Sequence, residues 1–216
     1  RGGYQGMNHA STLPVWLQQA GYHTTFVGKY LNGYGDEENR TEVPPGWSDW
    51  RAAVRTPGTG TLSYLGFLLN ENGTLNTFPP NQQSYLTDVF TRKAVGAIQR
   101  GAAGGTPFFL WLAYFAPHAG LPVEEDDVHA TGAMLSPVPA ARHRGAFAEE
   151  PLPRPSSFDE VDTSDKPRGV RNRPRLTLEQ MQAVEHSHRQ RLESLLAVDE
   201  GVADVADALR VAGELE

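Results

Sequence analysis

Residues 107–114 read Pro-Phe-Phe-Leu-Trp-Leu-Ala-Tyr, a short apolar run with no polar alternation, bounded by Gly101 to Gly105 on one side and Ala116-Pro117-His118 on the other. The run is far below the roughly 18 apolar residues that suggest a membrane span, and its aromatic content favours an extended chain. Without alternation, both faces of such a strand need cover. The run therefore predicts a strand buried inside a parallel sheet with helices on either side.

The surrounding sequence predicts the elements that such a sheet requires. Upstream, Ser11 or Thr12 can cap a short helix that tolerates Pro14 in its first turn, carries Leu13, Trp16, Leu17 and Ala20 at helical spacing, and ends at Gly21. Tyr22 to Val27, aromatic and β-branched, predicts a strand stopped by Gly28. Leu86, Val89, Phe90, Ala94, Ala97 and Ile98 predict a helix before the apolar run. Thr177 with Gln180 three residues on forms a capping-box pattern ahead of one long amphipathic helix through Leu209, with a bend expected at Gly201. Helix, strand, helix, strand, helix is the alternation of an α/β fold with a largely parallel sheet flanked by helices.

Two stretches resist assignment. Residues 32–80 are dense in Gly, Pro, Asn and Asp, and only Thr61 to Leu69 suggests a small hairpin. Between His129 and Arg175 seven prolines and little periodicity predict a long excursion over the surface, within one domain of residues 1–216. No internal repeat is visible.

Composition removes several function classes. A formal charge of -7 and an isoelectric point near 5.5 oppose binding to nucleic acid or an anionic membrane. The absence of cysteine excludes, within this chain, a disulfide framework, a thiolate metal site and a cysteine nucleophile. The start Arg1-Gly2-Gly3-Tyr4 carries neither Met nor a signal pattern and reads as a mid-protein start.

Two residues stand where ligands collect in α/β sheets, outside the carboxyl ends of strands. Lys29, in Val27-Gly28-Lys29-Tyr30, can hold an oxyanion as a point charge, or can be a solvated surface lysine. His118 can bind an anion or give a proton to a leaving oxygen, or can be a satisfied structural histidine. His186 and His188, two apart on a helix, face different directions and read as structural or exposed. Glu124-Glu125-Asp126-Asp127 reads as a solvated run, because adjacent carboxylates cannot all converge on one ion. Lys166, Arg168, Arg171, Arg173 and Arg175 have no acid among them. They can meet a sulfated or carboxylated sugar, Arg168 and Arg171 foremost, or form a solvated loop. Asn39-Arg40-Thr41 and Asn72-Gly73-Thr74 match glycosylation acceptors, a weak pattern.

Five segments in register resemble one family. They are Thr12 to Thr24 with Val27-Gly28-Lys29-Tyr30-Leu31-Asn32-Gly33-Tyr34, then Pro44 to Trp50, Phe108-Phe109-Leu110 through Ala116-Pro117-His118, Ser164-Asp165-Lys166-Pro167, and Arg191 to Glu200. Together they resemble the sulfatases of the alkaline phosphatase superfamily, in the glucosamine-6-sulfatase-like and arylsulfatase-like branch. The resemblance implies part of an alkaline-phosphatase-like sandwich and a parent enzyme that hydrolyses sulfate esters, on a sugar such as N-acetylglucosamine-6-sulfate or on aryl sulfates. It further implies calcium and a formylglycine nucleophile, both supplied outside this chain, and a secreted, periplasmic or lysosomal setting. Lys29 matches the family's sulfate-contacting lysine and His118 its sulfate-contacting or leaving-group histidine. No residue of this chain matches a metal ligand, and the chain alone is expected to be inactive. Many members have a histidine where Leu31 stands. The rival readings are a phosphodiesterase or phosphonate hydrolase of the same superfamily and a non-catalytic carbohydrate-binding remnant.

Overall fold

The computed structural model describes residues 2–56, 62–125, 127 and 136–215. Thr61, at the start of the expected hairpin, Asp126, and residues 129–135 of the proline-rich stretch lie outside them.

Helix α1 (Leu13–Gln19) begins after Thr12 in extended conformation with Pro14 in its first turn, and Gly21 reverses the chain into β1 (His23–Gly28). Strand β1 is followed by an irregular crossover, residues 29–48, into β2 (Asp49–Val54), which runs parallel to it. A hairpin, β3 (Phe67–Glu71) and β4 (Thr74–Phe78), adds antiparallel to β2. Helix α2 (Leu86–Ala103) then leads to β5 (Phe108–Ala113), parallel to β1 on its other side. The five-stranded sheet has the order β4-β3-β2-β1-β5. A parallel core of three strands thus carries the antiparallel hairpin at one edge.

The hairpin lies downstream of the expected Thr61 to Leu69. Its turn is Asn72-Gly73, with φ of 51° and 91°, the left-handed pair that a two-residue turn between right-twisted strands needs. The Asn72 side chain accepts from Trp50 N at 2.7 Å and donates to Asp49 Oδ1 at 3.1 Å. The pattern read as a glycosylation acceptor is a structural turn whose amide is engaged in the fold.

Both faces of the sheet are packed, by different chemistry. On one face Val27, Phe67, Leu69, Tyr85, Leu86, Phe90 and Phe115 form a core beneath α2 and the long helix α4 (Leu178–Ala212). On the other, Phe26, Tyr30, Tyr34, Trp47 and Trp50 form an aromatic core, with Phe26 stacked on Trp50 at 4.7 Å. Each such ring removes roughly 150–250 Å² from water, about 4–6 kcal/mol before ordering entropy is charged against it. The crossover 29–48 needs no helix because its own aromatics supply this cover. Tyr34 anchors it: the hydroxyl donates to Glu42 O at 2.7 Å and accepts from Trp50 Nε1 at 2.7 Å. Burial pushes the Tyr34 phenol up to about 12, which keeps it an O–H donor.

The strand buried on both faces is β1, not the apolar run. From Thr24 to Val27 every residue is at most 4% exposed, whereas β5 is half-buried and Trp111 is 43% exposed. Strand β5 has one neighbour among the described residues, so only one of its edges is covered.

Helix α4 opens on the expected capping box, Gln180 N to Thr177 Oγ1 at 3.2 Å and Thr177 N to Gln180 Oε1 at 3.0 Å, and is one continuous helix through Gly201. That glycine serves close packing: a side chain there would meet Tyr114 and Thr91, whose hydroxyls share a hydrogen bond of 2.8 Å. The proline-rich excursion is not wholly superficial either. Residues 136–140 are buried, and Tyr85 Oη donates to Val138 O at 2.9 Å. Arg142 follows, bridging Asp88 of α2 at 2.8 Å and Glu200 of α4 at 2.6 Å. His186 meets Asp127 at 3.2 Å while Glu124 pairs with Arg144, so the acidic run disperses to separate partners.

Candidate functional site

Strands β1 and β5 end in register, and β2 runs two residues further at the same edge. Gly28 is in register with Ala52 of β2 and Ala113 of β5, so whatever follows these positions shares the carboxyl edge of the sheet. Gly28 is required there. At φ of 136°, a Cβ would lie 2.6 Å from the Ala113 carbonyl carbon and 2.9 Å from its nitrogen. That close approach lets Lys29 N donate to Ala113 O at 2.9 Å, which ties the first residue after β1 to the last residue of β5.

The Lys29 ammonium is half-buried and donates to Tyr30 O at 2.5 Å and Asn32 Oδ1 at 3.1 Å. Asn32 is in turn fixed by Tyr4 N, which donates to its carbonyl at 2.8 Å. Both acceptors are neutral, and among the described residues no carboxylate lies within ion-pair distance of Lys29. Burial, and then repulsion from Arg55, holds the ammonium below the usual lysine range against a smaller pull from Asp36.

His118 lies five residues beyond Ala113, the end of β5, at the far side of a buried turn through Phe115 and Ala116. Its ring stacks on Phe115 at 5.0 Å, and its carbonyl accepts from Tyr64 Oη at 2.7 Å. Ring Nδ1 lies 2.7 Å from Ala119 O. A carbonyl only accepts, so Nδ1 carries a proton, and Nε2 is left as the nitrogen that can take or give one. The ring itself is exposed. The structure therefore brings Lys29 and the root of the His118 turn together through Ala113, without a direct side-chain contact between the two among the described residues.

Arg55 went unnoticed in the sequence. It follows Val54, the last residue of β2, and so stands at the same edge; its backbone N–H donates to Gly35 O at 3.0 Å and its guanidinium pairs with Asp36 at 3.0 Å. The signal was present in Asp49-Trp50-Arg51-Ala52-Ala53-Val54, a strand with no alternation, but the Gly- and Pro-rich surroundings obscured it.

Arg168 and Arg171 lie on a single helical turn, α3 (Arg168–Arg171), within the excursion. Arg171 donates through Nε and Nη2 to Lys166 O at 3.2 and 3.1 Å, while Arg168 is exposed. The reading of this cluster as free of acid is corrected by the fold. Lys166 pairs with Glu160 at 2.9 Å and Asp165 at 2.8 Å, and Arg175 with Asp159 at 2.8 Å, around a cavity of about 170 Å³. No contact joins α3 to Lys29 or His118 among the described residues.

Among the described residues no group of three or more His, Cys, Asp or Glu side chains converges as a cation site, and the chain has no cysteine. The oxygen cage that a calcium ion needs and the precursor of a formylglycine from cysteine are therefore not offered by these residues. No helix is long and apolar enough to cross a membrane among the described residues.

A family model described as Sulfatase matches residues 4–216. The arylsulfatase of Volvox carteri is 39% identical over 211 residues, covering 95% of this chain and 32% of that protein. The N-acetylglucosamine-6-sulfatase of Homo sapiens is 29% identical over 218 residues, covering 98% of this chain and 35% of that protein. The chain thus spans about a third of the length of the curated relatives it matches. In fold it is similar to BT4656, solved in complex with its substrate D-glucosamine-2-N,6-O-disulfate, with a TM-score of 0.61, 20% identity, and coverage of 97% of this chain and 48% of that one.

Proposed function

The chain belongs to the sulfatase family, and on that premise we propose that it forms one wall of a site that hydrolyses sulfate esters, as part of a catalytic domain to which residues 1–216 all contribute. The observation that carries this reading is the junction at Ala113, where the lysine after β1 is bonded to the strand that leads to His118.

In this reading Lys29 acts as a fixed positive charge. Two of its three N–H groups are spent on Tyr30 O and Asn32 Oδ1, which aims the third at a sulfate oxygen. A pre-aimed donor stabilises charge on the transferring group without reorganising during the reaction. His118, with Nδ1 committed to Ala119 O, presents Nε2 as the proton carrier for the leaving oxygen. The substrate is a sulfated sugar or an aryl sulfate, and exposed Arg168 is better placed than Arg171 to meet an acidic group of a longer glycan. In this reading a calcium ion and the formylglycine would be supplied from outside the chain, which by itself is expected to be inactive.

The test is kinetic, on the enzyme that contains this chain. Lys29→Ala is expected to lower kcat/KM by about 10²–10³ for every sulfate ester, as loss of one oxyanion donor does. His118→Ala should cost about 10²–10⁴ with a sugar sulfate and much less with nitrophenyl sulfate, whose leaving group needs no proton. Equal losses on both substrates would remove His118 from the role of acid. A kcat/KM for a phosphate diester above that for the matched sulfate ester would favour the phosphodiesterase reading.

A further inference from the structure

Strands β1 and β2 run in parallel with Gly28 opposite Ala52; β1 ends there, β2 runs on two residues to Val54, and each is followed by a cation, Lys29 directly after β1 and Arg55 directly after β2. The backbone at Arg55 is pinned. Its N–H donates to Gly35 O at 3.0 Å, and Gly35 is so close to Val54 that a Cβ there would lie 2.8 Å from the Val54 Cα. Among the described residues the guanidinium forms one ion pair, Nη1 to Asp36 Oδ1 at 3.0 Å, and both side chains are about 40% exposed, so the fork is open to solvent. Among the described residues, Asp36 pairs with Arg55 and no carboxylate pairs with Lys29, in a chain whose overall charge is -7. Like charges held together with a single acid between them mark a place where anionic ligand charge is missing.

We propose that Arg55 is a specificity-determining residue: its guanidinium binds a second anionic group, a sulfate or carboxylate, of a sugar whose ester sulfate lies against Lys29. This rests on the function proposed above. The preferred substrate is then a dianionic saccharide unit rather than a singly sulfated one. Asp36 occupies the fork in the absence of ligand and is displaced from part of it by the incoming anion. The lowered proton affinity of Lys29, caused partly by Arg55, agrees with two positive groups facing one volume.

In the enzyme that contains this chain, left without formylglycine conversion so that neither sugar turns over, the Lys29 amine is followed by nuclear magnetic resonance after isotopic methylation, its signal identified by its loss in Lys29→Arg. Glucosamine-6-sulfate and glucosamine-2-N,6-O-disulfate are titrated against the parent enzyme, Arg55→Gln, Arg55→Lys and Asp36→Asn. The parent is expected to bind the disulfate on the order of tenfold more tightly than the monosulfate. Arg55→Gln should bring the two affinities together by weakening the disulfate much more than the monosulfate, and Arg55→Lys should restore part of the gap. Asp36→Asn should widen the gap, which a purely structural ion pair would not do. An unchanged ratio in Arg55→Gln, or equal binding of both sugars by the parent, overturns the inference and leaves the role of Lys29 standing. If neither sugar moves the Lys29 resonance, the proposed function fails and this inference with it.

Discussion

Substituting Gly28 by alanine tests the junction on which the site depends. The residue would have to hold φ near 136°, outside the regions open to a side chain, which costs about 1–3 kcal/mol. The new Cβ would also stand 2.6 and 2.9 Å from the Ala113 carbonyl carbon and nitrogen, backbone atoms that cannot rotate away. Relief requires β1 and β5 to part, at about 1–3 kcal/mol for overpacking and a further 0.5–1.5 kcal/mol, roughly, for the Lys29 N to Ala113 O bond. The sum, about 2.5–7.5 kcal/mol, is a large fraction of the roughly 5–15 kcal/mol by which a domain is stable. Gly21→Ala supplies the control. Gly21 has φ of 88°, and a Cβ there would meet nothing within 4 Å, so only the dihedral cost of about 1–2 kcal/mol applies. Urea unfolding of the parent and both variants, followed by tryptophan fluorescence, measures the difference. Losses that agree to within about 1 kcal/mol would show that strand proximity at Ala113 contributes nothing beyond the dihedral angle.

Two further outcomes follow from the same geometry. Because burial and Arg55 lower the Lys29 pKa in the folded chain, protonated Lys29 opposes folding below that value, and the penalty fades as pH rises toward the ordinary lysine value of 10.5. Chemical unfolding of the parent and Lys29→Met across the alkaline range should therefore show stability moving in the parent's favour as pH rises; a flat difference would mean that Lys29 is as well solvated as a surface lysine. Asn72→Ala removes the bonds to Trp50 N and Asp49 and places alanine at φ of 51°, a loss of about 2–4 kcal/mol in urea unfolding, and Asn72→Asp, which keeps the acceptor for Trp50 N but turns a carboxylate oxygen toward Asp49, should recover less than that bond is worth.

The elements that the sequence predicts well are those whose pattern is set locally. Helix α2 carries its apolar residues at helical spacing, and α4 carries its start signal in Thr177 and Gln180, contacts that close within one turn. What was missed depends on partners distant in the chain. Arg175 is neutralised by Asp159, 16 residues away, and Lys166 by Glu160 as well as its neighbour Asp165, so the run of cations is far less basic than it reads. Residues 136–140 look like loop and are buried because Tyr85 and the sheet reach them from elsewhere. The unbroken apolar character of 107–114 was correct evidence for a strand, yet which strand is covered on both faces is decided by sheet order, and β1 holds the middle.

Site and strand were legible together, for one reason. In a parallel sheet the residues that leave the carboxyl edge are delivered to a common place by register alone, whatever their separation in sequence. Reading β1 and β5 as strands therefore marked Lys29 and His118 as candidates, while the unread β2 concealed Arg55, although Arg55 stands as near its strand's end as Lys29 does to its own. The omission has an energetic trace. A lysine held at the edge by two neutral acceptors has its proton affinity lowered first by burial and then by repulsion from the arginine that leaves the parallel neighbour. Altering Arg55 is therefore expected to move both the titration of Lys29, by the part that repulsion carries, and the selectivity of the edge for anions.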